Sequence, residues 1–348
     1  METYLINSTV DVVRTLGLQA LTEPVEDYVS IFRVPGSGEF RFLQPVWGLR
    51  EGWEKHLAHP LFPILLSIII YLLCMLPWMV VDLFGNDWKW IQRYKIQPDK
   101  PVTWPQMRRA IVLTAWNHVL YILPISVAQC VWSPDIELPK MPPGLWEFCW
   151  HQYASLVVMD LEYFLWHALH HKIRFLYRHV HSIHHEYHSP SVWVTQYLHP
   201  WELVAVGLFT TTSPWLFGAH PLTQWCFMLG TIYISVEAHV GYDLPFMPHN
   251  WAPFWGGAIK HDMHHQRPRT NYQPFFTWWD LMLGTECPGQ LAGGYKPKEL
   301  MDWDNRKRDE VRMRRDAKRR QLELEQQLLQ QDVTGKFNEA NGIERKTL

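Results

Sequence analysis

A chain of 348 residues holds one large domain or two small ones, and its charged residues amount to only 19%, below the roughly 25% of an ordinary soluble domain. Aromatic residues reach 14%, with 20 Trp and 19 His, a skew that favours a membrane protein. The net charge of -2 gives no reason to expect a nucleic-acid partner, and five scattered cysteines without a C-x-x-C pair argue against a disulfide framework or a thiolate metal site.

Residues 1–60 read as a lumenal or interfacial segment, a short amphipathic helix plus loop that turns at Pro35-Gly36-Ser37-Gly38. They lack the basic start and short apolar core of a cleaved signal peptide. The run from Leu61 to Leu83 is apolar for longer than the roughly 20 residues a bilayer crossing takes. It opens a second segment, 61–109, which ends in Lys89, Arg93, Lys95, Lys100, Arg108 and Arg109. Positive charge marks the cytosolic side, so the N-terminus is expected in the lumen, where Asn7-Ser8-Thr9 is a glycosylation acceptor. Residues 110–290 form a third segment with apolar runs at Ala110–Trp132, Trp146–Trp166, Trp201–Ala219 and Leu222–Ala238. The run carrying His151, Asp160 and Glu162 belongs inside a bundle rather than against lipid. The last two runs, broken at Gly218–Pro221, read as a hairpin that enters the membrane and returns. With five crossings every histidine cluster falls on the cytosolic side, beside Lys172, Arg174, Arg178 and Lys260. Residues 291–348 make a charged tail, read as a solvated helix ending in disorder or as a segment drawn to anionic head groups. The fold class expected is all-α, a multi-pass transmembrane bundle with a cytosolic, histidine-rich di-metal cap.

Three clusters define that cap: His167-Ala-Leu-His170-His171, His181-Ser-Ile-His184-His185 and His261-Asp-Met-His264-His265. Residues three and four apart share one helix face, so these imidazoles can aim at a common centre. A lone histidine is more often a core or interfacial residue, but three clusters at helical spacing on one side are not explained that way. The candidate ligands are His167, His171, His181, His184, His185, His261, His264 and His265, joined by His239 at the end of the last run. That set is too large for one ion and suits two, while imidazole accepts iron, copper, nickel or zinc alike. His170 is either a ligand or a flanking residue, and His199 either a ligand or part of a helix entry. His118 and His151 are expected to be buried and satisfied, His188 and His249 to lie at the surface. Asp160, Glu202, Glu237 and Asp262 either orient the rings or bond helix ends. Trp193, Tyr197 and Trp201, with Tyr153 and Phe164, either line an apolar substrate slot or anchor the chain at the interface.

The H-x-x-x-H, H-x-x-H-H, H-x-x-H-H series resembles the fatty acid hydroxylase superfamily of membrane sterol desaturases and lipid hydroxylases, over roughly Ala110 to Gly284. The words Trp166-His167-Ala-Leu-His-His-Lys172, Thr195-Gln196-Tyr197, Trp201-Glu202-Leu203, Gly218-Ala-His-Pro-Leu-Thr223 and Ser235-Val-Glu-Ala-His-Val-Gly-Tyr242, with Leu283-Gly-Thr285, are similar to its cholesterol 25-hydroxylase branch. The resemblance implies a catalytic domain over 110–290, a di-iron centre, O2 as co-substrate and hydroxylation of a sterol side chain, cholesterol to 25-hydroxycholesterol. It also implies residence in the endoplasmic reticulum membrane, of which Arg345-Lys346 is a faint further sign. No G-x-G-x-x-G or flavin pattern is present, so cytochrome b5 or NADPH-cytochrome P450 reductase is the implied electron donor. Sterol desaturation or C4-methyl oxidation is the alternative on the same irons, and a non-catalytic sterol-binding protein the alternative of another class. A zinc transporter fits less well, since its ligands would sit nearer mid-membrane. The chain departs from the family in its basic tail, in Lys260 before the third box, and in Asp243 four residues after His239. Either Asp243 or His199 is therefore a candidate for a missing ligand.

Overall fold

The computed structural model describes Tyr4 and residues 29–344, so Asn7 and the Arg345-Lys346 pair lie outside the described residues. The fold is all-α; among the described residues the only extended pairings are isolated bridges, such as Lys95 with Tyr242. Residues 1–295 and 296–348 form two compact units.

In the first unit, the turn at Pro35–Gly38 closes a bridge between Arg33 and Phe40. Helix α1, Leu61–Phe84, follows from an unbroken apolar run and leaves Leu65, Ile69, Leu72, Leu73 and Leu76 exposed. Helix α2 runs Trp104–Trp132 and starts at a capping box, in which the Thr103 backbone N–H donates to Gln106 Oε1 at 2.9 Å. It widens to a π turn over His118–Ile122, where Pro124 cannot donate to the preceding turn. Among the described residues, α1 (extended to Asp87) and α2 are the two helices long and apolar enough to cross a membrane. Their unburied apolar faces need lipid or another protein, because water disfavours that surface.

Helix α3, Leu145–Lys172, helix α4, Pro200–Trp215, and helix α5, Pro221–His239, take up the other three apolar runs. Each of α4 and α5 has a proline in its first turn and a histidine N-cap, His199 and His220, whose Nδ1 accepts a backbone N–H at 3.1 Å. Helix α6, Gly257–Gln266, carries the third histidine box, and the short helix α7 covers Trp278–Leu283. A core of Tyr71 and Met75 from α1, Met107 from α2, Val236 from α5 and the buried segment Val192–Val194 packs these elements together. Chain direction alternates. The C-terminal ends of α1, α3 and α5 and the N-terminal ends of α2 and α4 meet at the histidine end.

Asp160, buried in mid-α3, accepts the backbone N–H groups of Phe275 and Phe276 at 3.0 and 3.1 Å and Trp279 Nε1 at 2.7 Å. It therefore pins the segment after α6 against α3 instead of orienting an imidazole. His118 bonds the Thr114 carbonyl at 2.8 Å and so is satisfied, but it is half-buried rather than buried as expected. The buried Nδ1 of His151 has no partner among the described residues, a correction to the expectation that it is satisfied.

The second unit is one helix, α8, Lys298–Glu344. It continues to Glu344 where the composition alone predicts an earlier end, because Glu, Lys, Arg, Gln and Leu all favour helix. Pairs such as Lys307 with Glu310 and Arg312 with Asp309 add local support one turn apart.

Candidate metal centre

Five elements bring nine imidazoles to one place. His167 and His171 lie one turn apart on α3, His181 ends a π turn over Tyr177–His181, and His184 and His185 sit in the 3-10 turn that follows. His239 ends α5, and α6 presents His261, His264 and His265. They fall into two groups, His167, His171, His181, His185 and His264 in one, and His184, His239, His261 and His265 in the other. Within each group the facing nitrogens lie within 4.8 Å of one another. Only His171 is partly exposed.

In six of the nine rings a hydrogen bond on the far side decides which nitrogen faces inward. His167 Nδ1 donates to the Tyr272 carbonyl at 2.7 Å, His264 Nδ1 to Thr270 at 2.6 Å and His265 Nδ1 to Tyr187 at 2.8 Å. His239 Nδ1 donates to Ser235 at 2.7 Å, and His184 Nδ1 to Tyr197 at a longer 3.4 Å. His181 Nδ1 donates to Glu202 Oε1 at 2.6 Å. Carbonyl and carboxylate oxygens only accept, so these six rings carry their proton on Nδ1 and turn a bare Nε2 inward.

Bare nitrogens then face each other at short range. His167 and His181 Nε2 are 2.9 Å apart, and His239 and His184 Nε2 are 3.3 Å apart. His185 lies 3.1 Å from His181 and 3.0 Å from His264, and His261 lies 2.9 Å from His239. In the His167–His181 and His239–His184 pairs, where both rings carry their proton on Nδ1, no proton is available to join the two lone pairs, and a cation between them turns repulsion into attraction. The Nδ1 of His185 and of His261 has no partner among the described residues, so those two rings can take either tautomer. Two imidazole nitrogens bound at about 2.1 Å and at right angles on one ion stand about 3.0 Å apart, which matches these separations. Burial, reinforced by the charge each neighbour would carry, holds His181, His184, His185, His261, His264 and His265 well below the ordinary 6.5. The rings are neutral at neutral pH, as ligands must be. The donor set fits two ions, one in each group.

A fatty acid hydroxylase family model matches residues 153–285, which span all nine histidines. The chain is 46% identical over 246 residues to cholesterol 25-hydroxylase-like protein 2 of Danio rerio, covering 70% of this chain and 88% of that protein. It is 40% identical over 245 residues to a cholesterol 25-hydroxylase-like protein of Caenorhabditis elegans, covering 70% and 82%. Against cholesterol 25-hydroxylase of Homo sapiens the identity is 38% over 246 residues, covering 70% and 90%. The chain belongs to the fatty acid hydroxylase family. No solved structure matches it.

Like the family's histidine series, its imidazoles form two sets, and they do so without help from the other candidates. His199 caps α4 and Asp243 binds His249 Nε2 at 3.0 Å, so neither joins a histidine group. His170 flanks the site, its Nδ1 on the Trp166 carbonyl at 2.8 Å and its ring stacked on Trp166. Lys260, standing before the third box, pairs with Glu286 and donates to the Cys287 carbonyl at 3.1 Å. Of the four carboxylates weighed as ring-orienting groups, Glu202 alone bonds one of the nine rings. Glu237 faces His249, and Asp262 accepts from Gln97 at 2.8 Å and Gln266 at 2.7 Å.

His188 is exposed, as expected of a surface residue. His249 is not: its side chain is 3% exposed, and the polar loop around it concealed this because both ring nitrogens are matched to buried carboxylates. Trp193 is buried in the core between α1 and α5, and buried Tyr197 donates its hydroxyl to Glu186 at 2.9 Å. Trp201 stands exposed in the first turn of α4, Tyr153 is exposed on α3, and Phe164 is buried. The segment 270–282, in which the sequence points to no site residue, shapes the site as well. Asp280 accepts the Tyr272 and Gln273 N–H groups at 3.0 and 2.8 Å, fixing the backbone whose carbonyl holds His167. Asn271 holds the same loop through Lys260 and Cys287. The left-handed backbone of Asn271, φ 52°, is its one local signal, since Asn tolerates that region.

Proposed function

We propose that the chain is a membrane di-iron monooxygenase that hydroxylates a sterol side chain, converting cholesterol to 25-hydroxycholesterol with O2 and two external electrons. The observation that carries this reading is the pair of buried groups of five and four converging imidazoles. An unactivated C–H bond yields to no side-chain acid, base or nucleophile, and a bound redox-active metal pair supplies the activation of O2 that the reaction needs. The names of the relatives, cholesterol 25-hydroxylase and cholesterol 25-hydroxylase-like proteins, support a sterol as substrate.

The protein's own part is to hold nine neutral ligands, exclude water and receive a lipid. His167, His171, His181, His185 and His264 hold one ion and His184, His239, His261 and His265 the other. Glu202 fixes the His181 ring, and backbone carbonyls fix His167, His184, His239, His264 and His265. A cleft of about 360 Å³ between α3 and α5, lined by Tyr153, Leu156, Phe227, Thr231 and Ile234, offers apolar space on helices that also carry ligands. Trp193, Tyr197 and Trp201 lie outside the lining of this cleft, which leaves Tyr153, of the aromatic residues expected at the substrate, to line it. Electrons come from cytochrome b5 or NADPH-cytochrome P450 reductase. The protein resides in the endoplasmic reticulum membrane, with the histidine end and C-terminus cytosolic and a glycosylated Asn7 in the lumen. Alternation of chain direction supports this orientation, since it puts the basic loop 89–109 at the histidine end.

Expression in a host lacking sterol hydroxylases, followed by mass spectrometry of extracted sterols, tests the reading. A product heavier by one oxygen is expected, lost in His184→Ala and His264→Ala. A product lighter by two hydrogens would assign desaturation instead, and products unchanged by both substitutions would remove the enzyme.

A further inference from the structure

His249 lies ten residues beyond the last histidine of α5 and belongs to neither imidazole group, yet its side chain is 3% exposed. Its Nδ1 faces Glu237 Oε1 at 3.3 Å and its Nε2 faces Asp243 Oδ1 at 3.0 Å. Both partners are carboxylates of low exposure, 3% for Glu237 and 12% for Asp243. A ring between two acceptors donates from both nitrogens, which makes it an imidazolium bridging two negative charges.

The bridge joins the elements that build the four-histidine group. Glu237 is on the last turn of α5, two residues before His239. Asp243 lies in the link leaving α5, and its other oxygen accepts the Ala292 N–H at 3.3 Å while Asn250 Nδ2 donates to Oδ1 at 3.0 Å. On the opposite side the ring packs on Gly257, the first residue of α6. That glycine has φ +53°, and a Cβ there would come within 2.4 Å of His249 Nδ1 and 3.0 Å of Glu237 Oε1. His261 and His265 follow on the next two turns of α6.

We propose that His249 is a positioning residue for one metal of the pair: clamped between Glu237 and Asp243 and seated on Gly257, it sets α6 against the end of α5 so that His239, His261, His265 and His184 close on a single ion. The proposal rests on the di-metal reading above. The five-histidine group has four of its members on other elements, with His264 its only ligand from α6, so loss of the clamp acts unequally on the two ions.

Full-length protein purified in lipid nanodiscs and loaded with Fe(II) under anaerobic conditions provides the test, read as iron per chain and as release to a chelator. Wild type is expected to hold two ions. His249→Ala is expected to hold close to one, with the second ion released at least tenfold faster, as in His239→Ala. His249→Gln, which keeps one donor and most of the volume, replaces it should the alanine variant fail to fold, and the same loss is expected. Met159→Ala, a core change on α3 away from the clamp, is expected to lower the melting temperature and keep both ions; loss of one ion there as well would make the His249 effect general destabilisation and overturn the proposal. Two ions with wild-type release in the His249 variants would overturn the clamp alone. A wild-type chain unable to hold two ions would overturn the di-metal reading and the clamp with it.

Discussion

Glu202 illustrates how much one side chain does at this site. It sits at 1% exposure in the first turn of α4, where Oε2 accepts the His199 N–H at 3.3 Å and Oε1 accepts His181 Nδ1–H at 2.6 Å. One carboxylate thus starts a helix and fixes the tautomer and direction of a ring that has three other imidazoles in close contact. Partners of this kind raise the basicity of the ring they hold, and losing one typically lowers metal affinity about 10- to 100-fold. Glu202→Gln keeps an acceptor but removes the charge, whereas Glu202→Ala leaves a buried Nδ1–H without a partner. The expected order of affinity is wild type, then Gln, then Ala, measured by competition with a chelator of known strength. Wild-type affinity in the alanine variant would mean that His181 is held in place by its neighbours alone.

At the scale of elements, the part of the site that supplies no ligand is as decisive as the helices that do. The segment after α6 presents the Thr270 and Tyr272 carbonyls to His264 and His167, and Asp280 holds that backbone through two N–H groups and the Thr285 hydroxyl. Asp280→Ala orphans two buried backbone donors, each costing about 1–3 kcal/mol, and the half-buried Thr285 hydroxyl. The expected result is a loss of several kcal/mol in denaturant unfolding and faster hydrogen exchange at residues 270–275. Unchanged exchange there would show that the loop is held by Asn271 and Asp160 without Asp280. This contrast also explains what the sequence disclosed. Helices α1 and α2 were legible because a bilayer demands length and apolarity, and the three boxes because ligation from a helix demands spacing of three and four. The carbonyls behind the rings were not, since every residue has one and only the folded path selects Tyr272 or Thr270. His249 was missed for a related reason: a polar loop reads as solvated until its carboxylates are seen to converge. His199 was ambiguous because an imidazole beside Pro200 serves equally as a ligand or an N-cap, and only the 3.1 Å bond from the Trp201 N–H decides for the cap.

Across the whole molecule, two sets of histidines titrate in opposite senses and bound the pH range over which the fold is stable. Those in the metal groups outside the membrane-spanning helices, such as His184, His185 and His265, are held below 6.5 first by burial and then by neighbouring imidazoles. Below about pH 6.5 the unfolded chain takes up protons that the folded chain refuses, so stability falls as the solution becomes more acid, and bound metal is released over the same range. His249 behaves in reverse. Burial pulls its pKa down, but Asp243 and Glu237 outweigh that and raise it to about 9. Its folded form keeps a proton that the unfolded chain surrenders near pH 6.5, so its contribution is complete below that pH and disappears as pH rises through about 9. The groups facing it are Glu237 on α5, Asp243 and Asn250 in the link, and Gly257 on α6, with no second cation among them. The melting temperature of the metal-loaded protein is therefore expected to be highest near pH 6.5, falling on the acid side as the buried imidazoles are forced to protonate and on the alkaline side, up to about pH 9, as His249 loses its proton. Thermal scans from pH 5 to 10 check this, with His249→Gln as the comparison. The variant loses the ionisable ring, so its alkaline decline should flatten while its acid decline persists. An alkaline decline of equal depth in both proteins would place the responsible group elsewhere, and an acid decline that vanished with His249 would mean that the buried imidazoles are not the groups that resist protonation.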